Sequence, residues 1–271
     1  MDQDPKPVLR VENLTKIYPG NVRAVNNISF SVRKGDVIVI LGPSGAGKST
    51  LLRCLNRLAA KTEGKVLINN KDITEVKGSE LKKLRSDIGM VFQQFNLIPR
   101  LSVFENVLAG CLGHMTNPLW FLASVLRQFS NENKQRGFDA LKRVGIEHLA
   151  PKRADSLSGG QQQRVAIART LAQDPKVILA DEPVASLDPA SSKRVLDILK
   201  DISMLRDIPV IINLHQIDLA RQYATRIIGV KEGNMVFNNN VENFTFDVAK
   251  EIYGSRFESA LFNCEPKQAA A

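Results

Sequence analysis

The sequence predicts an α/β fold, a strand-and-helix core interrupted by a helical insert. Three observations carry this. "DVIVIL", Asp36–Leu41, is a continuous apolar run, as parallel strands buried on both faces are; it leads through a glycine-rich loop into the helical pattern "KSTLLRCLNRL". From Lys176 strand and helix alternate again: "VILAD", a helix after Pro189, "VIINL", another helix, then "RIIGV". Between these regions, from about Val103 to Gly160, strand signals vanish and several helices are expected.

The remaining elements follow in order. Val8–Leu14 and Ile28–Val32 read as short strands, the second by the alternation of Ile28, Phe30 and Val32. "KVLIN" and "IGMVF" read as further strands. No internal repeat is evident, and the tail "KQAAA" is expected to be disordered. Single domains run to about 200–250 residues. The 271 residues therefore suit one large domain, or a domain with a subdomain.

Hydrophobic residues make up 44% and charged residues 24%, ordinary values for a chain that buries a sizeable core. The longest apolar candidate, "PLWFLASVL", is far short of the roughly 20 residues needed to cross a membrane. The N-terminus lacks the charged-then-apolar pattern of a signal peptide, so a cytosolic location is expected. Cys54, Cys111 and Cys264 show no paired spacing, which suits a reducing compartment and argues against a zinc site. The net charge of +9 favours an anionic partner: nucleic acid, nucleotide or anionic membrane surface.

The chemistry begins at "GPSGAGKST", Gly42–Thr50, which fits G-x-x-x-x-G-K-[ST] between a strand and a helix. In the turn formed by Gly42, Pro43, Ser44, Gly45, Ala46 and Gly47, backbone N–H groups can face phosphates, and the helix N-terminus adds its positive end. Lys48 would reach the β- and γ-phosphates, and Ser49, followed by Thr50, would offer a hydroxyl to Mg²⁺. "VILADEP", Val177–Pro183, is an apolar strand ending in adjacent carboxylates, where open α/β sheets bind ligands. Asp181 would hold the metal, and Glu182 would polarise an attacking water; otherwise Asp181 caps the next segment and Glu182 is solvated. "LSGGQQQR", Leu157–Arg164, has the look of a second phosphate loop, with a glycine pair running into a helix but no phosphate-gripping Lys.

Several single residues gain meaning from this setting. Gln93 follows a strand end and is either a turn residue or a sensor of metal and γ-phosphate. His215 follows "VIINL" and is either structural or a contact to the γ-phosphate that helps place the water. Tyr18 precedes a glycine turn and is either a packing residue or a platform for a nucleobase.

In this order, the segments resemble those of the ATP-binding subunits of ABC transporters, over about Val8–Phe237. "GPSGAGKST" matches their Walker A loop, "VILADE" their Walker B, "VFQ" their Q-loop, and "SLD", Ser186–Asp188, their D-loop. "LSGGQQQR" matches their signature motif, His215 their switch histidine and Tyr18 their adenine-stacking aromatic. The resemblance implies a P-loop NTPase (RecA-like) core with an N-terminal antiparallel β subdomain and an inserted α-helical subdomain. It places an ATP-binding domain over 8–237, with core segments 8–92 and 161–237 and a helical subdomain over about 93–160. Residues 238–271 are expected to form a packed extension ending in a disordered tail.

The resemblance further implies that Tyr18, Gly42–Thr50 and Gln93 bind ATP, that Ser49, Gln93 and Asp181 hold Mg²⁺, and that Glu182 and His215 are catalytic. Two copies are expected to pair head to tail, so that Ser158, Gly159, Gly160, Gln161 and Asp188 of one copy act on ATP bound to the other. A hydroxyl, close backbone approach at two glycines and a helix N-terminus suit that task. "ILADEPVASLDP", "LHQIDLA" and the insert "GCLGHMTNPLWFLASVLRQF" with Trp120 are similar to the subgroup that powers phosphonate import, while phosphite and hypophosphite importers share these features. Phosphate or a polar amino acid is the alternative cargo. The implied partners are a second copy, transmembrane permease subunits and, indirectly, an extracytoplasmic phosphonate-binding protein, with no nucleic acid. The implied location is peripheral, on the cytoplasmic face of the cell membrane. A helix capped by Asn117 and opened by Pro118 is expected to serve either internal packing or permease docking.

Overall fold

The structure, a computed structural model, describes residues 6–114 and 129–257. In chain order the elements are β1 (Leu9–Tyr18), β2 (Val22–Val32), β3 (Val37–Leu41), α1 (Lys48–Leu55), β4 (Glu63–Ile68), β5 (Lys71–Asp72), α2 (Gly78–Asp87), β6 (Ile88–Val91) and α3 (Val103–Leu108). There follow α4 (Asn131–Arg143), α5 (Gly159–Ala172), β7 (Val177–Asp181), α6 (Pro189–Arg206), β8 (Val210–Asn213), α7 (Ile217–Tyr223), β9 (Arg226–Lys231), β10 (Asn234–Asn240) and α8 (Phe246–Tyr253). The docking helix expected at Asn117, with Trp120, and the tail "KQAAA" lie outside the described residues. Among the described residues no helix is long and apolar enough to cross a membrane.

The chain divides into two compact units, one built from residues up to Thr74 and from Pro209 onward, the other from Glu75–Ile208. In the first, β2, β1, β4 and β5 form an antiparallel sheet in that order. β3 runs between β8 and β9, parallel to both, and β10 pairs antiparallel with β9. Every residue of β3 and β8 is buried, which is why both read as unbroken apolar runs. Parallel alignment sends the loops after β3 and β8 to the same edge, the place where such sheets hold ligands.

The strands β1 and β2 are longer than the expected Val8–Leu14 and Ile28–Val32. Asn13 and Asn27 adopt left-handed φ of 48° and 50°, and the pairing shifts register around them. Backbone N–H groups at these breaks are taken up by side chains, Asn13 N by Ser29 Oγ at 2.8 Å and Asn27 N by Thr15 Oγ1 at 3.0 Å. The bulges break the two-residue alternation from which strands are read. The helix after the glycine loop is also shorter than its pattern, because Arg57 turns left-handed at φ 60° and Asn56 Oδ1 accepts the Leu58 N–H at 3.0 Å.

Phe237, where the family pattern fades, lies inside β10. Its ring meets Phe244 edge to face at 5.7 Å, and α8 then buries Ala249, Ile252 and Tyr253. A Cβ at Gly229 of β9 would come within 2.4 Å of Ile252 Cδ1, so the strand's lack of a side chain there seats α8.

In the second unit β6 and β7 pair in parallel, Ile88 opposite Val177 through Val91 opposite Ala180. Among the described residues α3, α4 and α5 lie between them in the chain. A reciprocal capping box starts α3: Glu105 N donates to Ser102 Oγ at 3.1 Å, and Ser102 N donates to Glu105 Oε2 at 2.8 Å. Buried Asn106 then ties down the preceding loop, accepting from Ile98 N at 2.7 Å and donating to Ile98 O at 3.1 Å.

Candidate functional site

The glycine loop of the first unit is shaped for phosphate oxygens. Gly42 and Gly47 have φ of 154° and 102°. A Cβ at Gly42 would lie 2.1 Å from the Val230 carbonyl oxygen, and one at Gly47 1.9 Å from that of Ala24, so neither position admits a side chain. Ala46 N closes the turn on Pro43 O at 3.1 Å. Lys48 is buried, with Nζ donating to Gly42 O at 2.7 Å and Pro43 O at 3.0 Å, which holds the ammonium over the loop. The helix that follows begins at Gly47 without a side-chain cap and without an acidic residue in its first turn. Its leading N–H groups and positive end therefore suit an anion.

Neighbouring side chains tune this loop. Asn213, fully buried at the end of β8, donates Nδ2 to Ser49 Oγ at 3.2 Å and so fixes the hydroxyl beside the helix start. Two positions on, half-buried His215 has its carbonyl oxygen 3.4 Å from the Tyr253 hydroxyl, which donates to it. Burial pushes that hydroxyl up to about 12, against a smaller opposing pull from the Gly42 backbone. Tyr18, 37% exposed, closes β1 with Lys16 Nζ 4.7 Å from its ring centroid, a cation on one aromatic face.

The second unit carries the carboxylates and the second loop. Asp181 is the buried last residue of β7, and Glu182, half-buried, takes a left-handed φ of 51°. A non-glycine residue held there carries strain of order 1–3 kcal/mol. Gln93 is exposed just beyond β6. Ser158 caps α5 with a second capping box: Gln161 N donates to Ser158 Oγ at 3.4 Å, and Ser158 N donates to Gln161 Oε1 at 3.0 Å. Gly160 packs against the first turn of α6, where an added Cβ would lie 2.5 Å from Ser191 Oγ; at Gly159 the nearest atom would be Leu187 Cδ2 at 3.4 Å. Asp188 caps α6, accepting from Ser191 N at 2.9 Å, and hydrogen bonds from Ser191 hold its carboxyl below the usual carboxylate range.

Asn213 and Tyr253, which the sequence reading passed over, are built into these sites, and so is Gln163, which it met only as one of three glutamines in the signature segment: buried in α5, its Nε2 donates to Pro183 O at 2.8 Å. Asn213 had a signal, a polar residue closing an otherwise apolar parallel strand; Tyr253 had none. The buried Cys54 thiol is pushed up to about 11 by desolvation, with Lys16 pulling the other way, and desolvation also raises Cys111; both stay protonated at neutral pH. Among the described residues no group of His, Cys, Asp or Glu forms a dedicated metal cage.

Comparison with known proteins agrees with this geometry. Residues 25–185 match the family model described as ABC transporter. The chain is 52% identical over 247 residues to the phosphonates import ATP-binding protein PhnC of Bacillus thuringiensis subsp. konkukian, covering 91% of this chain and 95% of that protein. Among solved structures, the dimeric ATP-binding cassette MJ0796 in a post-hydrolysis state with ADP and Pi superposes with a TM-score of 0.74 at 36% identity, over 87% of this chain and all (100%) of that one. The cbiO1 protein of Clostridium perfringens, part of the cbiONQ transporter complex, gives 0.77 at 34% identity, over 90% and 93% of the two chains. A phosphate loop that admits no side chain at its key glycines, a strand-end carboxylate pair, and a family match spanning both leave one conclusion: the chain belongs to the ABC transporter family, as an ATP-binding and ATP-hydrolysing cassette.

Proposed function

We propose that the chain is the ATPase subunit of an importer for phosphonate-type phosphorus compounds, working as a head-to-tail homodimer on the cytoplasmic face beneath transmembrane permease subunits. An extracytoplasmic binding protein delivers the cargo. The observation that supports the ATPase reading is the glycine loop, where Gly42 and Gly47 pack so closely on the Val230 and Ala24 carbonyls that no side chain fits, and buried Lys48 is held over the turn at an uncapped helix start. The cargo reading rests on relatives at about half identity that are named for phosphonate import.

In this reading Tyr18 stacks on the adenine, the N–H groups of Gly42–Thr50 take the phosphates, and Lys48 turns its ammonium from loop carbonyls to the β- and γ-phosphates. Ser49, Gln93 and Asp181 would hold Mg²⁺, which when bound neutralises charge on the phosphate oxygens. Asn213 keeps a Ser49 lone pair directed outward by occupying the other. Glu182 orients and deprotonates the water, and His215 assists at the γ-phosphate. Ser158 accepts from Gln161 yet keeps its own hydroxyl proton, so it can donate to the phosphate bound by the other copy; the N–H groups of Gly159 and Gly160 join it, and Asp188 lies at the same junction.

The direct experiment is ATPase assay of the complex reconstituted with permease and binding protein. Stimulation by a phosphonate is expected; stimulation by an amino acid but not by phosphonate, phosphite or hypophosphite overturns the cargo assignment. Sharing of sites between copies is tested with a mixed dimer, Lys48→Ala in one copy and Gly159→Asp in the other. Gly159 is chosen because an added side chain there meets ordinary contacts, whereas Gly160→Asp would also collide with Ser191. The new carboxylate repels phosphate. Both defects then fall on one site, leaving the second intact, and roughly half the activity is expected if sites turn over independently. Placing both changes in one copy damages both sites. Equal activity in the two arrangements sinks the shared-site reading.

A further inference from the structure

We infer that Gln163 is a positioning residue linking the signature helix α5 to both the Glu182 turn and the Gln93 loop, so that engagement of the neighbouring copy's nucleotide sets the geometry of this chain's own hydrolytic groups. Gln163 is fully buried in α5, five residues beyond the Ser158 cap. Its Nε2 donates to Pro183 O at 2.8 Å and is 3.5 Å from Phe92 O. Those carbonyls belong to the residue after Glu182 and the residue before Gln93. Two facing carbonyls fix the amide's orientation, because only its NH₂ end can meet both.

Packing does not explain the residue. Among the described residues Gln163 Oε1 has no donor, although it is buried. A side chain kept for shape alone would not bury an unmatched acceptor. Its donors, by contrast, act where they matter. Glu182 sits in a strained left-handed conformation, and the next carbonyl along the chain is the one that Gln163 pins. The helix grips the Gln93 loop a second time further along, where Arg169 donates Nη1 to Asn96 O at 2.6 Å and Nη2 to Phe95 O at 3.0 Å. A shift of α5 as a rigid rod therefore moves the Gln93 loop and the Glu182 turn together, and the Gln163 amide reaches a carbonyl at the edge of each.

The inference rests on the ATPase reading above, in which Ser158–Gln161 serve one nucleotide while Gln93 and Glu182 serve the other. Gln163 then couples the two sites of the dimer through one helix.

The test is steady-state ATP hydrolysis by the full assembled complex with Gln163→Met, which fills the space but removes both donors, and with Gln163→Glu, which keeps the length but not the paired N–H groups. Expected for each is a kcat lower by about 10- to 100-fold, as small misplacements of reacting groups produce, with KM for ATP near wild type, loss of cooperativity in ATP, and a fall in melting temperature from the carbonyls left without a donor that is larger for the buried carboxylate of Gln163→Glu than for Gln163→Met while the loss of kcat is similar in both. Unchanged kcat and cooperativity overturn the inference. So does a proportionate fall of kcat, ATP affinity and melting temperature, or loss of the folded state in both variants, because the residue is then merely structural. If the wild-type complex itself fails to hydrolyse ATP, the failure belongs to the underlying ATPase reading.

Discussion

Glu182→Gln is expected to lower ATP hydrolysis by on the order of 10²–10⁴-fold while leaving ATP binding in place. The substitution keeps side-chain length and removes the charge that draws the proton from water. It leaves the backbone problem untouched, since glutamine is no more at ease than glutamate at φ 51°. The variant should therefore fold as the wild type does and accumulate as an ATP-bound dimer, visible by light scattering as a nucleotide-dependent doubling of mass. Glu182→Gly separates strain from chemistry. It should be inactive yet more stable, by roughly 1 kcal/mol or more, because glycine tolerates this conformation. Near-normal turnover in the purified Glu182→Gln complex would remove Glu182 from the catalytic role.

Lys48→Ala is expected to abolish productive nucleotide binding instead. The ammonium is buried and held by two loop carbonyls, ready to exchange them for phosphate oxygens. Truncating one member of a buried charged pair costs about 2–5 kcal/mol, or a loss of roughly 30- to 5,000-fold in affinity. The apo protein also loses some stability, because Gly42 O and Pro43 O lose a donor. The informative quantity is therefore the rise in melting temperature on adding ATP, which should be large in the wild type and absent in the variant. A wild-type-sized rise in Lys48→Ala would show that Lys48 does not hold the phosphates.

How far the sequence reveals this molecule depends on how local each signal is. β3, β8 and the glycine loop were legible because burial on both faces leaves no polar residue in the strand and the loop tolerates only certain residues. β1 and β2 were half legible, since bulges at Asn13 and Asn27 break the period. β10, "NMVFNNN", has five of its seven residues exposed and so gives almost no apolar signal. α2, "GSELKKLRSD", has only two leucines to mark a buried face. The candidate site divides the same way. Motif residues announce themselves by type and spacing, but the three consecutive glutamines of the signature segment look alike in sequence. Folded, they part company: Gln161 closes a cap, Gln162 Nε2 donates to Leu157 O at 2.9 Å, and Gln163 reaches Pro183. Only the helical turn between them assigns three different jobs to one residue type.

The bare start of α1 has a consequence beyond catalysis. α3, α4, α5, α6 and α8 are each closed by a serine, aspartate or threonine of the chain itself. α1, like α2 and α7, is not; in the proposed function the piece that completes α1, which follows the glycine loop, comes from outside as the phosphates of ATP. The nucleotide then behaves as a missing residue, supplied by the cell rather than encoded. At a hundredfold excess over its dissociation constant such a ligand adds about 2.7 kcal/mol of stability, a large share of a typical domain's margin. The same melting series that tests Lys48→Ala measures it. A subunit built this way has a lifetime tied to the energy state of its surroundings: when ATP runs low, the opening turn of α1 is left half finished, and proteases find the chain more often open.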